Sequence, residues 1–71
     1  MPIVDIHIIE NVFSPEKKKE MIEKITNTMV EIEGEALRGV TWVRILETKE
    51  NNWAIAGKQL CAADIHAMQK G

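Results

Sequence analysis

The stretch Met1-Pro2-Ile3-Val4-Asp5-Ile6-His7-Ile8-Ile9-Glu10 places a proline in front of an apolar, β-branched run. Isoleucine and valine favour strands, so residues 3–9 predict a β-strand. Apolar side chains fall on both of its faces, which is typical of a strand covered on both sides: Ile3 and Ile9 on one face, and Val4, Ile6 and Ile8 on the other. Asp5 and His7 interrupt the first face. We therefore expect this face to meet a polar seam or another subunit.

Pro2 stands directly behind Met1. Removal of Met1 would turn Pro2 into a free secondary amine at the head of the strand. Such an amine can act as a general base when its surroundings keep it neutral. The alternative interpretation is that Pro2 is an ordinary second residue.

The length of 71 residues predicts a single domain over residues 1–71. A chain this short buries only about 60% of its unfolded surface, so it needs a disulfide, a metal or a partner subunit. Cys61 is the only cysteine, and the two histidines, His7 and His66, lie far apart, so neither a disulfide nor a structural zinc site is expected. The composition therefore predicts a homo-oligomer.

A net charge of −2 with interspersed signs gives no footprint for nucleic acid. The basic run Lys17-Lys18-Lys19 is flanked by glutamates and is interpreted as a solvated helix face. No apolar segment approaches the roughly 20 residues that span a membrane, and the N-terminus lacks the features of a signal peptide. We expect a cytoplasmic protein with reduced Cys61 and no membrane partner.

The sequence from Ser14 onward predicts a helix. Ser14-Pro15-Glu16 supplies a cap, a proline for the first helical position and an acid that complements the dipole. Apolar residues then recur at helical spacing up to a C-cap at Gly34, namely Met21, Ile22, Ile25, Met29 and Ile32. After a short connection, residues 40–46 predict a second strand, parallel to the first.

The remaining segments predict a polar loop at 49–52, a short strand or hairpin arm at 53–57, and a short helix at 62–69. The fold class is therefore α/β, with a single βαβ unit followed by a C-terminal hairpin or short helix. One helix covers only one face of a two-stranded sheet. Oligomerisation is expected to cover the other face and complete the fold.

Several of these segments, in order and over about residues 1–58, resemble the 4-oxalocrotonate tautomerase family. They are Met1-Pro2-Ile3-Val4, Ile6-His7-Ile8-Ile9-Glu10, Ser14-Pro15-Glu16-Lys17-Lys18-Lys19, the helix end near Gly34, Val40-Thr41-Trp42-Val43 and Asn52-Trp53-Ala54-Ile55-Ala56-Gly57-Lys58. The resemblance implies a βαβ subunit assembled into a hexamer, or another multiple of paired subunits.

The resemblance also implies that Pro2 of the mature chain is the catalytic base, which shuttles a proton between carbons of an enol or enone acid without a metal or organic cofactor. An apolar site fits this role because it lowers the pKa of an amine toward the operating pH. Trp53 falls where the family places an aromatic residue that lines the pocket. Its other interpretation is a core or interface tryptophan.

The chain departs from the family pattern at two arginine positions. The first is Val12, and the second falls on Trp42, or on Thr41 if the loop is one residue longer. Neither side chain can bind a carboxylate bidentately as arginine does. The departures argue against a dicarboxylate substrate of the muconate type.

The candidate replacements for these arginines are Arg44 and Arg38. Each also has the interpretation of an ordinary surface or intersubunit salt bridge. The predicted substrate-binding residues are therefore Arg44, Arg38, Trp53 and Trp42. His7 and Asp5 are interpreted as a polar pair across a subunit seam, with His7 packed or interfacial rather than catalytic, and Cys61 as an inert small apolar residue.

The sequence thus predicts an isomerase that tautomerises a small 2-oxo or 2-hydroxydienoic acid, with Pro2 as the base. Two alternatives stay open. The same amine could serve a hydratase, decarboxylase or dehalogenase acting on small acids. Alternatively, the chain could be a scaffold that keeps the fold and the assembly but has lost the site.

Overall fold

A computed structural model describes all residues 1–71. The elements, in chain order, are β1 (Ile3–Ile9), α1 (Pro15–Glu33), a 3-10 helix (Glu35–Val40), β2 (Trp42–Thr48), β3 (Ala54–Ile55), β4 (Lys58–Gln59) and α2 (Ala62–Gln69). β1 and β2 pair in parallel, and β3 and β4 form an antiparallel hairpin. The predicted α/β fold with one βαβ unit is confirmed, and the C-terminal part contains both a hairpin and a helix.

The ends of α1 are set by the residues that the sequence singles out. The Ser14 hydroxyl accepts a hydrogen bond from the Lys17 N–H at 3.2 Å, and Pro15 occupies the first turn. At the other end Gly34 has φ 107°, a conformation that glycine adopts without steric cost, and its N–H donates to the Val30 carbonyl at 2.8 Å. Both predicted ends are confirmed.

The second strand begins and ends two residues later than residues 40–46. Val40 closes the 3-10 helix, where the Thr41 N–H donates to the Arg38 carbonyl and the single Thr41 hydroxyl hydrogen is shared between the Leu37 carbonyl and the Glu33 carboxylate. These local hydrogen bonds outweigh the β-propensity of a valine–threonine pair. At the far end, Glu47 and Thr48 continue the ladder beside β1.

The two faces of the β1–β2 sheet differ in exposure. α1 covers the face that carries Ile6, which lies in a shallow pocket with Met21 and Ile25 of the helix. The other face, which we call the open face, is formed by Ile3, Asp5, His7, Trp42 and Arg44. Ile3 and Trp42 are each 53% exposed there. A single chain therefore covers only one of the two apolar faces of β1.

Apart from Ile8 and Val30, which are buried separately, the core lies at the carboxyl ends of the parallel strands. It is a group of four buried residues, which we call the end cluster: Ile9, Val12, Leu60 and Ala62. Phe13, Trp53 and Ile65 pack against it. The predicted C-terminal helix α2 thus closes this end of the molecule.

This core is small for the length of the chain. Only 6 of the 71 residues are buried. The radius of gyration is 14.7 Å, whereas a compact domain of this length has about 11 Å. No helix has both the length and the apolar character that crossing a membrane requires.

Candidate active site

Pro2 immediately precedes β1, and the ladder fixes its main chain. Its carbonyl accepts a hydrogen bond from the Trp42 N–H at 3.1 Å. The residue is half-buried, whereas Met1 is 81% exposed. Loss of Met1 would therefore remove no part of the packed core and would leave an amine at a fixed position.

Trp42 is the first residue of β2 and pairs with Ile3. It therefore lies beside Pro2 in the ladder, and its ring is on the open face. Of the predicted site residues, Pro2 and Trp42 are the two that the fold brings together at the amino ends of the strands.

Arg44 lies two residues further along the open face and forms a bidentate ion pair with Asp5. Its Nε donates to Oδ1 at 2.9 Å and its Nη2 to Oδ2 at 3.0 Å. These hydrogen bonds from Arg44 lower the pKa of the Asp5 carboxyl. The Nη1 donors face neither oxygen and remain able to bind a second carboxylate. Asp5 is thus bonded to Arg44 of its own chain, and no hydrogen bond joins it to His7.

Arg38 is held more completely than Arg44. Its Nε and Nη2 donate to the Glu35 carboxylate at 2.7 and 3.3 Å, and its Nη1 donates to the Asn27 side chain at 3.0 Å. All three guanidinium nitrogens are engaged, and together they tie the 3-10 helix to α1. The geometry favours a structural salt bridge at this position.

Trp53 lies at the opposite end of the sheet from Pro2. It packs against the end cluster and also lines an apolar groove of about 350 Å³. Eight of the nine lining residues are hydrophobic, and His7 is the polar one. Trp53 is therefore a core residue that also lines this groove, and its role as the wall of a substrate pocket stays a prediction.

Pro2 and Trp53 of one chain cannot touch the same small molecule. β1 contains seven residues, and a strand rises about 3.3 Å per residue, which separates its ends by roughly 20 Å. Val12 belongs to the same distant end, where it is 8% exposed within the end cluster. Val12, which stands at the first position where the family has an arginine, therefore fills the core.

Glu33, which contacts Thr41 just before β2, is a residue that the sequence reasoning missed. It lies in the last turn of α1, and one of its carboxylate oxygens, Oε2, accepts a hydrogen bond from the Thr41 hydroxyl. The other oxygen, Oε1, is buried and has no hydrogen-bond partner in the chain. Its position in the sequence could have indicated a special role. An acid at the C-terminal end of a helix is disfavoured by the helix dipole, so another interaction must stabilise it there.

Comparison with known proteins places these residues in a family. The sequence model of the family described as "Tautomerase enzyme" matches residues 2–63. The chain belongs to the tautomerase family. No curated protein matches it significantly. The resemblance found in the sequence is confirmed at this level, and it supports an enzyme of the tautomerase superfamily.

The match begins at Pro2, so the tautomerase pattern includes the candidate base and also the hairpin that carries Trp53. In this tautomerase Cys61 lies outside the groove, where it caps α2. Its N–H donates to the Asp64 carboxylate at 2.9 Å and its thiol lies 3.4 Å from the same oxygen. No three His, Cys, Asp or Glu side chains form a group that could hold a metal ion.

Proposed function

We propose that this tautomerase moves a proton within a small 2-hydroxydienoic or 2-oxo acid, and that the Pro2 amine, freed by removal of Met1, is its general base. The observation that supports this most is the position of Pro2. Its carbonyl is hydrogen-bonded at the head of the β-ladder, and the residue in front of it is exposed.

In the proposed reaction the neutral amine takes a proton from the enol hydroxyl of the substrate. The electron pair moves through the conjugated system, and the resulting ammonium returns the proton to a carbon. The oxygen that carries negative charge between the two steps is stabilised by a cation. Apolar neighbours keep the pKa of the amine low enough for it to act as a base near neutral pH.

Arg44 is the cation that the geometry favours. It lies on the open face, its planar guanidinium is oriented by Asp5, and its Nη1 edge is free to bind a carboxylate or an enolate oxygen. Arg38 is the weaker candidate, because all three of its guanidinium nitrogens already hold other groups.

The complete site needs a second copy of the chain. Pro2 and the apolar groove of one subunit lie at opposite ends of the sheet, so we propose that the Pro2 end of one subunit meets the groove of another. The exposed side chains of Ile3 and Trp42 supply the apolar surface for such contacts. The family resemblance favours a hexamer, in which Trp53 would exclude water from Pro2 of a neighbour.

The substrate is proposed to carry a single carboxylate and an apolar tail. Val12 occupies the position of an arginine that would bind a second carboxylate, and the groove that it lines is almost entirely hydrophobic. Burying an unpaired carboxylate there would be costly. A phenylenolpyruvate-like acid therefore fits better than 2-hydroxymuconate.

The same observation supports the second candidate, a scaffold that has lost the site. The two are separated by ketonisation assays of phenylenolpyruvate and 2-hydroxymuconate with the wild type and Pro2→Ala, after intact mass has shown that Met1 is absent from both. A general base contributes about 10²–10⁴-fold to a rate, so we expect Pro2→Ala to lose at least about 100-fold.

Equal activity of Pro2→Ala and an active wild type would show that the base is another group. If neither protein exceeds the buffer rate with either acid, the proposed tautomerase activity is refuted. Gel filtration of both proteins at the assay concentration is the control for assembly.

A further inference from the structure

The orphaned carboxylate oxygen of Glu33 has a position that matters for the proposed base. Oε2 is bonded to the Thr41 hydroxyl, while Oε1 is buried without a partner. A buried carboxylate oxygen that finds no donor is costly. Its presence in the last turn of α1, against the helix dipole, adds to this cost.

Thr41, which bonds that carboxylate, is the lateral neighbour of Pro2. Ile3 pairs with Trp42, and the Trp42 N–H donates to the Pro2 carbonyl, so the preceding residues Pro2 and Thr41 are lateral neighbours. Neighbouring strands lie about 4.8 Å apart. Side chains two residues apart on a strand lie on the same face. Pro2 is two residues before Val4, and Thr41 is two residues before Val43. Both residues therefore continue the face that α1 covers. Thr41, which bonds the carboxylate, is therefore on the same side of the sheet as Pro2 and about one strand spacing away from it.

The chemistry of Pro2 explains why the oxygen lacks a donor while Met1 is attached. A proline nitrogen in a peptide bond carries no hydrogen. The free amine that forms when Met1 leaves gains one N–H when neutral and two when protonated. Removal of Met1 therefore creates a hydrogen-bond donor on the residue next to Thr41, which bonds the Glu33 carboxylate.

We propose that Glu33 is a positioning residue, whose buried Oε1 accepts a hydrogen bond from the Pro2 amine after Met1 is removed while Thr41 holds the carboxylate in place. The inference rests on the proposed function only in requiring a free Pro2 amine. A neutral secondary amine has one N–H and one lone pair. Once the N–H is bonded to Glu33, the lone pair points away from α1.

No proton is transferred to Glu33 in this arrangement. The substrate proton is held by Pro2 as its second N–H and returns from there to the product carbon. The negative charge of Glu33 stabilises the protonated amine, so it opposes the effect of the apolar surroundings and prevents the base from becoming too weak.

The other charged groups at this end are already paired or point elsewhere. On the 3-10 helix, Arg38 and Glu35 neutralise each other. On β2 the nearest charge is Arg44, which lies on the open face and is paired with Asp5. Glu31 of α1 is exposed, and its side chain takes part in no ion pair or hydrogen bond in the chain. Glu33 is thus the carboxylate with an oxygen available to Pro2.

The test is a titration of the Pro2 amine by NMR in protein labelled with ¹⁵N-proline, which needs no substrate. The variant is Glu33→Gln, which keeps the size but removes the charge and replaces one acceptor oxygen with an NH2 donor. Its matched control is Glu31→Gln, which removes the same charge from the same helix end. An opposite charge within about 4–6 Å shifts a titration by about 1–3 units. We expect the midpoint of Pro2 to fall by about 1–2 pH units in Glu33→Gln and to stay unchanged in Glu31→Gln.

Equal midpoints in Glu33→Gln and Glu31→Gln would overturn the inference. Thr41→Val, which removes the hydroxyl anchor, should shift the midpoint in the same direction by a smaller amount, and an unchanged midpoint would remove Thr41 from the proposal. The acidic limb of kcat/KM against pH should move with the NMR midpoint, with a fall in kcat and little change in KM.

These results separate the two proposals. A shifted Pro2 midpoint in Glu33→Gln, together with full ketonisation by Pro2→Ala, would retain the positioning contact and refute the proposed base. An unshifted midpoint, together with an inactive Pro2→Ala, would retain the base and refute the role of Glu33.

Discussion

The end cluster predicts a large effect of one substitution, Leu60→Ala. Leu60 is 5% exposed and belongs to the small group of buried residues on which this end of the fold depends. Truncation to alanine removes three carbons, and each buried carbon contributes about 0.8 kcal/mol. The transfer part is thus about 2.4 kcal/mol, and the cavity left behind brings the loss of unfolding free energy to about 3 kcal/mol.

The assay is urea denaturation followed by circular dichroism at one fixed protein concentration, because self-association makes stability depend on concentration. The matched control is Leu37→Ala, which deletes the same atoms from a residue that is 39% exposed. Scaling the transfer part by the buried fraction gives about 1.5 kcal/mol for this control.

Leu60 also connects this core to the candidate site. Its N–H donates to the Trp53 carbonyl at 2.8 Å, across the hairpin that carries the groove wall. Leu60→Ala is therefore expected to shift Trp53 fluorescence toward that of a solvated indole. A variant as stable as Leu37→Ala would refute the assignment of the core to the carboxyl ends of the strands.

Three further predictions concern the helix cap, the ion pair and the assembly. Ser14→Ala removes the acceptor for the Lys17 N–H and should lower the unfolding free energy by about 1 kcal/mol in the same urea assay. Hydrogen bonds from Arg44 lower the pKa of Asp5 in the folded chain. The stabilisation from this pair is therefore complete above the pKa that Asp5 has in the unfolded chain. It is lost as the pH falls through the lower pKa that Asp5 has in the folded chain. The stability of Asp5→Asn should therefore fall less steeply below about pH 4, and parallel curves would contradict this. Trp42→Glu places a charge on the open face and should weaken self-association in sedimentation velocity, whereas an unchanged distribution would show that this face is not an interface.

The sequence predicts the regular elements well where one local signal dominates. Ser14 and Gly34 mark the ends of α1 because a cap and a positive φ are local requirements. Residues 3–9 form the strand expected from their β-branched run. The predicted start of the second strand is wrong by two residues. Val40 and Thr41 have strand propensity, but they complete a 3-10 helix through hydrogen bonds that composition does not reveal.

The contacts of the candidate site are less accessible to sequence reasoning. Asp5 and Arg44 are 39 residues apart, and their pairing follows from the register of two parallel strands. The distance between Pro2 and Trp53 is likewise a property of the topology. The same register places Thr41, which bonds Glu33, beside Pro2. Sequence reasoning therefore identifies candidate residue types but not which of them meet.

The intact mass of the protein purified from its native host shows whether the chain begins at Met1 or at Pro2, and this decides whether Pro2 can be the base. The Pro2 nitrogen can serve as a base only as a free amine, since in a peptide bond it has no basic lone pair. Met1 is exposed and contributes nothing to the end cluster, so we expect the mass of the chain that begins at Pro2. A mass that includes Met1 would contradict the assignment of Pro2 as the base.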